Sequence, residues 1–205
     1  MDSAAPASQL GVGSDFTCAL HADKTVACWG GETGLPLGQG WDAPASPNKP
    51  VTVPGLDGVT WLEVGWLHTC VVREDHTVLC WGTNNFGQTG QPAPAAGGWA
   101  MTGPPTLVPG LPPVRALTGT NLTTCALTVA GGVWCWGWNA CAAAGQAEFA
   151  QCDTEYVSSS DAVAKPHELA GLQDIVALGS GLAHACALRK DGAVLCWGDN
   201  YFGQV

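Results

Sequence analysis

Ten of the 205 residues are cysteine, and eight of them form pairs whose members lie ten positions apart: Cys18 and Cys28, Cys70 and Cys80, Cys125 and Cys135, Cys186 and Cys196. Thiols can bind metal, act as nucleophiles or form disulfides. Zinc sites built from local sequence use ligand spacings of two to four, usually with histidine among them, and no histidine recurs beside all of these pairs. A cysteine nucleophile needs a base and an orienting group brought to it. His68 and His184 stand two residues before a cysteine, but as equivalent copies they read as hydrogen-bonded structural residues rather than catalysts. Disulfide formation is the remaining chemistry, and it depends on what carries the cysteines.

Residues 18–30 read CALHADKTVACWG, and the phrase returns as CVVREDHTVLCWG (70–82), CALTVAGGVWCWG (125–137) and CALRKDGAVLCWG (186–198). In a hairpin centred on residue 23, Cys18 faces Cys28 and Leu20 faces Val26. The same arithmetic sets Val72 against Val78, Leu127 against Val133 and Leu188 against Val194. The turns fall on ADK, EDH, VAG and KDG, of which the last two contain the glycine that short hairpin loops favour. Opposed residues of a non-hydrogen-bonded antiparallel pair have Cα atoms about 4.5 Å apart, at the short end of what a disulfide spans. Four cross-strand disulfides are therefore predicted, with a fifth joining the remaining Cys141 and Cys152. The alternative is buried free thiols acting as small hydrophobes. Disulfides imply an oxidising compartment, so an extracellular or periplasmic location is expected. MDSAAPASQL lacks the basic end and apolar centre of a signal peptide, so the export signal is expected to be absent from this chain.

The repeating unit is larger than the phrase. A leucine stands eight residues before each first cysteine (Leu10, Leu62, Leu117, Leu178), and a Gly-Gln pair follows each phrase (Gly38-Gln39, Gly87-Gln88, Gly145-Gln146, Gly203-Gln204). First cysteines at 18, 70, 125 and 186 give spacings of 52, 55 and 61 residues, near the longer periods of propeller and solenoid arrays. We read 1–205 as a single domain with repeats at approximately 9–58, 59–112, 113–172 and 173–205. The insertions 89–110 and 140–168 are rich in Pro, Gly, Ala and Ser and read as loops. Alternation within each unit predicts short antiparallel strands, and the glycine and proline content argues against helix. The expected fold is all-β: a β-propeller of four-stranded antiparallel blades, because such units bury their apolar faces only against neighbours.

Seven Lys plus Arg against seventeen Asp plus Glu give a net charge of −10, the wrong sign for neutralising phosphates, so no nucleic-acid partner is expected. No apolar run approaches the roughly 20 residues of a membrane helix. The carboxylates lack the loop spacing of a calcium site, and no metal or cofactor is expected.

The stretches His68 to Gln88 and His184 to Gln204 follow the pattern H-[TA]-C-x-[LV]-x4-[TA]-V-x-C-W-G-x-N-x-F-G-Q. This pattern resembles the repeat of the regulator of chromosome condensation family, and the cysteine on both sides of the hairpin resembles its secreted bacterial branch. Unit one departs with Phe16 in place of His and no Asn after Trp29-Gly30; unit three has Thr123 in place of His. The resemblance implies blades of a seven-bladed propeller. Four repeats would then be part of a longer propeller, or an arc completed by another chain, either a second copy or a distinct protein.

On such a scaffold Trp29, Trp81, Trp136 and Trp197, which recur after the strand cysteine, are expected to pack between blades. Residues that do not repeat are the candidates for binding: Trp66 and Leu67 in the turn before His68, and Asn85, Phe86, Trp138, Tyr201 and Phe202 in turns after Trp-Gly. Phe86 and Phe202, at matching positions, could equally plug the gap between blades. Trp41 and Trp99 stand in long Pro/Gly-rich loops as anchors or local loop cores, and Asn121-Leu-Thr123 fits a glycosylation sequon. The expected function is a non-catalytic secreted module that binds a protein or polymer. The alternative is an assembly subunit of a larger extracellular structure. Nucleotide exchange on a small GTPase, as in the nuclear members of the resembled family, ranks last because it fits poorly with oxidised cysteines and the acidic balance.

Overall fold

The structure, a computed structural model, describes residues 5–31, 37–39, 48–94, 100–139 and 162–205. Fifteen strands form four antiparallel sheets among them, each a blade of a β-propeller. Blade one contains β1 (Ala7–Val12), β2 (Phe16–His21), β3 (Val26–Gly30) and β4 (Val51–Thr52). Blade two contains β5 (Val59–Val64), β6 (His68–Arg73), β7 (Val78–Thr83) and β8 (Met101–Leu107). Blade three contains β9 (Val114–Gly119), β10 (Thr123–Thr128), β11 (Val133–Trp138) and β12 (Ala162–Glu168). Blade four has three strands rather than the expected four: β13 (Ile175–Ser180), β14 (His184–Arg189) and β15 (Val194–Gly198). Within each sheet the strands lie side by side in chain order. No helix of the described residues is long and apolar enough to cross a membrane.

The repeated phrase forms the central hairpin of each blade. Cys18 pairs with Cys28, Cys70 with Cys80, Cys125 with Cys135 and Cys186 with Cys196 in the strand registers. Each pair is a disulfide with Cα atoms 4.1 Å apart. Cys141 and Cys152 lie outside the described residues.

Side chains alternate across a strand, so each hairpin has two faces, and this explains the residue types of the repeat. The cysteines and the facing aliphatic pair of one blade point at the next blade, which answers with its inner-strand leucine and its tryptophan. Between blades one and two, Cys18, Leu20, Val26 and Cys28 meet Leu62, Val71 and Trp81. Between two and three, Cys70, Val72, Val78 and Cys80 meet Leu117, Ala126 and Trp136. Between three and four, Cys125, Leu127, Val133 and Cys135 meet Ile175 and Ala187, with Leu178 and Trp197 partly buried beside them. Trp81 and Trp136 are fully buried, while Trp29 and Trp197 are half-buried.

Polar side chains also stitch the inner strands together. The Gln9 amide donates to Leu62 O (2.7 Å) and accepts from Leu62 N (3.0 Å). Trp61 Nε1 donates to Leu117 O (3.0 Å), and the Arg115 guanidinium donates to Ile175 O and Val176 O (3.0 and 3.1 Å).

The departures in unit three compensate each other. In the other units a ring (Phe16, His68, His184) lies so close to the glycine three residues earlier that a Cβ on Gly13, Gly65 or Gly181 would meet it at 2.2 Å. Unit three replaces ring and glycine together: Thr123 leaves room for Thr120, whose Oγ1 accepts from Thr123 N (3.1 Å).

Candidate functional site

The turn joining the first two strands of each blade lies at one end of the propeller axis. Equivalent residues of the four turns are linked by backbone hydrogen bonds: Ser14 N to Trp66 O (2.9 Å), Trp66 N to Asn121 O (3.4 Å) and Asn121 N to Leu182 O (3.0 Å). This ladder surrounds a shallow opening lined by residues of all four blades, including Val12, Trp66, Asn121 and Leu182. Trp66 is 49% exposed there, although its backbone is held from both sides. A large aromatic side chain is therefore presented to solvent on a fixed support. Leu67, the other candidate of this turn, is half-buried.

Glu63 lies beneath this rim. Its Oε1 accepts from Gly119 N of the next blade (2.8 Å). Burial raises its carboxyl to about 7, against the smaller opposing effect of that hydrogen bond. The position after the inner-strand leucine holds Gly11, Glu63, Thr118 and Gly179 in the four units. The criterion that selected Trp66, non-repetition at an otherwise repeated site, also applies to Glu63, which the sequence reading passed over.

His68 is buried, and desolvation lowers its imidazole to about 4. Its Nε2 lies 2.9 Å from Thr124 Oγ1, which lies 3.0 Å from Gln88 O. Thr124 has one hydroxyl proton to give that carbonyl, so the His68 Nε2–H donates to Thr124. Trp136 Nε1 donates to the same Gln88 O (2.9 Å). Histidine, threonine, glutamine and tryptophan thus form one bridge between blades two and three. His184 is less buried, on the last blade.

The remaining candidates divide. Phe86 packs against Trp138 across the blade junction, with ring centroids 6.3 Å apart, and Trp138 is buried. The Asn85 side chain accepts from Ala100 N (2.8 Å) and fastens its own loop. Tyr201 and Phe202 are 78% and 87% exposed and contact each other edge to face at 4.7 Å. Their loop is built like that of blade two: Phe86 N donates to Gln88 Oε1 (2.9 Å), as Phe202 N does to Gln204 Oε1 (2.8 Å). Sequence alone could not separate the two phenylalanines, because only one has a neighbouring blade to meet. Among the described residues, no three His, Cys, Asp or Glu side chains are grouped so as to hold a metal ion.

The regulator of chromosome condensation (RCC1) repeat matches residues 7–33, 62–88 and 175–204. The chain is 28% identical over 163 residues to the E3 ubiquitin-protein ligase HERC2 of Mus musculus, covering 77% of this chain and 3% of that protein. It is 30% identical over 152 residues to the X-linked retinitis pigmentosa GTPase regulator of Canis lupus familiaris, covering 73% and 14%. Among solved structures, Prp20p from Saccharomyces cerevisiae superposes with a TM-score of 0.77 at 21% identity, covering 97% of this chain and 46% of that one. The chain thus spans less than a fifth of these two curated relatives and under half of Prp20p. The propeller geometry shared over almost the whole chain shows the fold, and the three matched repeats make this protein a member of the regulator of chromosome condensation repeat family.

Proposed function

We propose that this chain is a non-catalytic protein-binding module of an oxidising compartment, extracellular or periplasmic, which grips its partner with the rim turns around Trp66. The observation that carries the reading is an indole half exposed on a turn hydrogen-bonded to both neighbouring turns. Rigid exposed aromatics of this kind form binding hot spots. The four disulfide-bonded hairpins support the choice of compartment. A protein ligand agrees with the relatives, since Prp20p has binding properties toward Gsp1p and histones.

The test is affinity capture from extracellular or periplasmic extract of the source cells, with the immobilised chain beside its Trp66→Ser variant. A partner held by the parent and weakened about tenfold or more by the variant is the expected result. Equal retention by both would move the site away from this rim. Regulation of a small GTPase is the second reading, favoured by the name of the canine relative. Capture of a GTPase from cytosolic extract, by a chain whose thiols alkylate without reductant, would replace the first reading with the second.

A further inference from the structure

The central hairpin of blade three lacks the acid that caps this turn in the other units. There an aspartate accepts from the residue two ahead: Thr25 N donates to Asp23 Oδ1 (3.2 Å), Thr77 N to Asp75 Oδ1 (3.0 Å) and Ala193 N to Asp191 Oδ1 (3.0 Å). Unit three has Ala130 at that position, and Gly132 N donates to Thr128 Oγ1 instead (2.9 Å). Its acids stand on either side of the turn. Glu168 takes the place of Thr52 and Leu107, and Asp174 the place of Gly58 and Pro113. The glycine pair of the turn leaves room for both: a Cβ on Gly132 would lie 3.5 Å from Glu168 Oε1, and one on Gly131 would lie 3.4 Å from the Asp174 Cα. Ile175 N donates to Gly131 O (3.0 Å) and fixes the second approach.

Trp134 is also particular to this unit, since Ala27, Leu79 and Leu195 hold its position elsewhere. It pairs with Glu168 across β11 and β12, so the two side chains project from one face of the sheet. The half-buried indole, Glu168 and Asp174 line one groove of about 500 Å³ beside the turn. A full strand, β10, separates this turn from the rim turn of the same blade, so the groove lies at the end of the blades opposite Trp66.

At this end the other carboxylates have partners. Asp23 accepts from the Thr25 hydroxyl, Asp57 and Asp75 face Arg73, Glu74 faces Lys24 and Asp191 binds Arg189. Among the described residues, no hydrogen bond or salt bridge reaches the carboxylate of Glu168 or Asp174. The Arg189 guanidinium, whose field Asp174 shares, is held by Asp191 at 2.7 Å. Arg115 is directed to the Ile175 and Val176 carbonyls.

We propose that this groove binds an arginine side chain presented by a basic segment of a partner protein. A guanidinium is planar and lies flat on an indole, and its N–H edges still donate to carboxylates. Trp134 supplies the flat wall, and Glu168 and Asp174 supply the acceptors. A lysine ammonium offers neither the plane nor the paired donors. The net charge of −10 draws a basic segment toward the chain.

The probe is the blocked peptide acetyl-Gly-Gly-Arg-Gly-Gly-amide, titrated at low salt into the native 205-residue chain and followed by NMR through the Trp134 indole N–H and the Gly132 amide. Saturable shifts of both signals are expected. Affinity should exceed by about fivefold or more that of peptides carrying lysine or citrulline in place of arginine. Trp134→Leu, Glu168→Gln and Asp174→Gly should each weaken binding about fivefold or more, with Gly132 as the reporter. The first copies Leu79 and Leu195, and the third copies Gly58, whose φ of 60° matches the 56° of Asp174. Both therefore place residues that the fold already accepts at those positions. Three results would overturn the proposal: no saturable shift of Trp134, equal affinity for the lysine or citrulline peptide, or undiminished affinity in any of the three variants.

Discussion

Glu63 and His68 lie five positions apart, and burial shifts both away from charge, so their effects on stability run in opposite directions with pH. The Glu63 carboxyl is raised from 4.5 to about 7. Below pH 4.5 it is protonated in folded and unfolded chains alike; as pH rises toward 7 only the unfolded chain ionises, and the fold loses about 3 kcal/mol. His68 is lowered from 6.5 to about 4. Its contribution is complete above pH 6.5 and is lost as pH falls toward 4, by a similar amount. Between pH 4.5 and 6.5 each contributes a slope of about 1.4 kcal/mol per pH unit, of opposite sign, so the pair conceals its own titration. Removing one partner should reveal the other. Relative to the parent, Glu63→Gln is expected to gain stability progressively from pH 4.5 to 7 and to hold about 3 kcal/mol at pH 8, because the amide oxygen still accepts from Gly119 N without a charge to bury. His68→Phe, which copies Phe16 of the first unit, should gain stability toward low pH instead. Urea titrations of parent and variants from pH 4 to 8 measure both; parallel curves would show that neither group carries the burial assigned to it.

The hairpin is the element that was most legible in the sequence, because its determinants are local. Cysteines at a spacing of ten, an aliphatic pair inside them and a turn at the centre fix register without reference to other blades. The tryptophan-glycine that closes each phrase is equally local in cause. Gly82 has φ +98°, and a Cβ there would stand 2.5 Å from Leu67 O and 2.9 Å from the His68 Cα. Those contacts are backbone atoms of the paired strand and cannot move aside. Gly82→Ala should cost about 3 kcal/mol or more, read as a lower urea midpoint with the slope unchanged. A loss under about 1 kcal/mol would mean that the strand end relaxes. What the sequence hid is set by neighbours in space. Phe86 is half-buried because Trp138 belongs to the next blade, while Phe202 at the same position of the last unit meets no such residue. Glu63 is a half-buried acid because Gly119 of blade three lies against it.

At the scale of the whole molecule, each blade is stabilised by its own hairpin and by one or two faces shared with neighbours, as in other quasi-one-dimensional repeat arrays. Blades two and three have both faces covered. Blade four has one: β13 is held to β9 through Arg115 and through Ser180, whose Oγ donates to Gly119 O (2.8 Å), while Leu188 and Val194 on its other face lie open. Its disulfide and hairpin match those of the inner blades, so a difference in stability between them reports the uncovered face together with the fourth strand that the other blades have. Burying two such aliphatic side chains contributes about 1.5–3 kcal/mol each. Native-state hydrogen exchange should therefore rank the amides of β14 below those of β6 and β10, with opening free energies lower by about 3–5 kcal/mol. Mild denaturant should release Trp197 before Trp81 and Trp136, giving two fluorescence transitions rather than one. Uniform protection across the four hairpins would instead mean that the rim ladder and inner-strand bridges bind the blades into a single cooperative unit, and that shared faces are not what sets the stability of each blade.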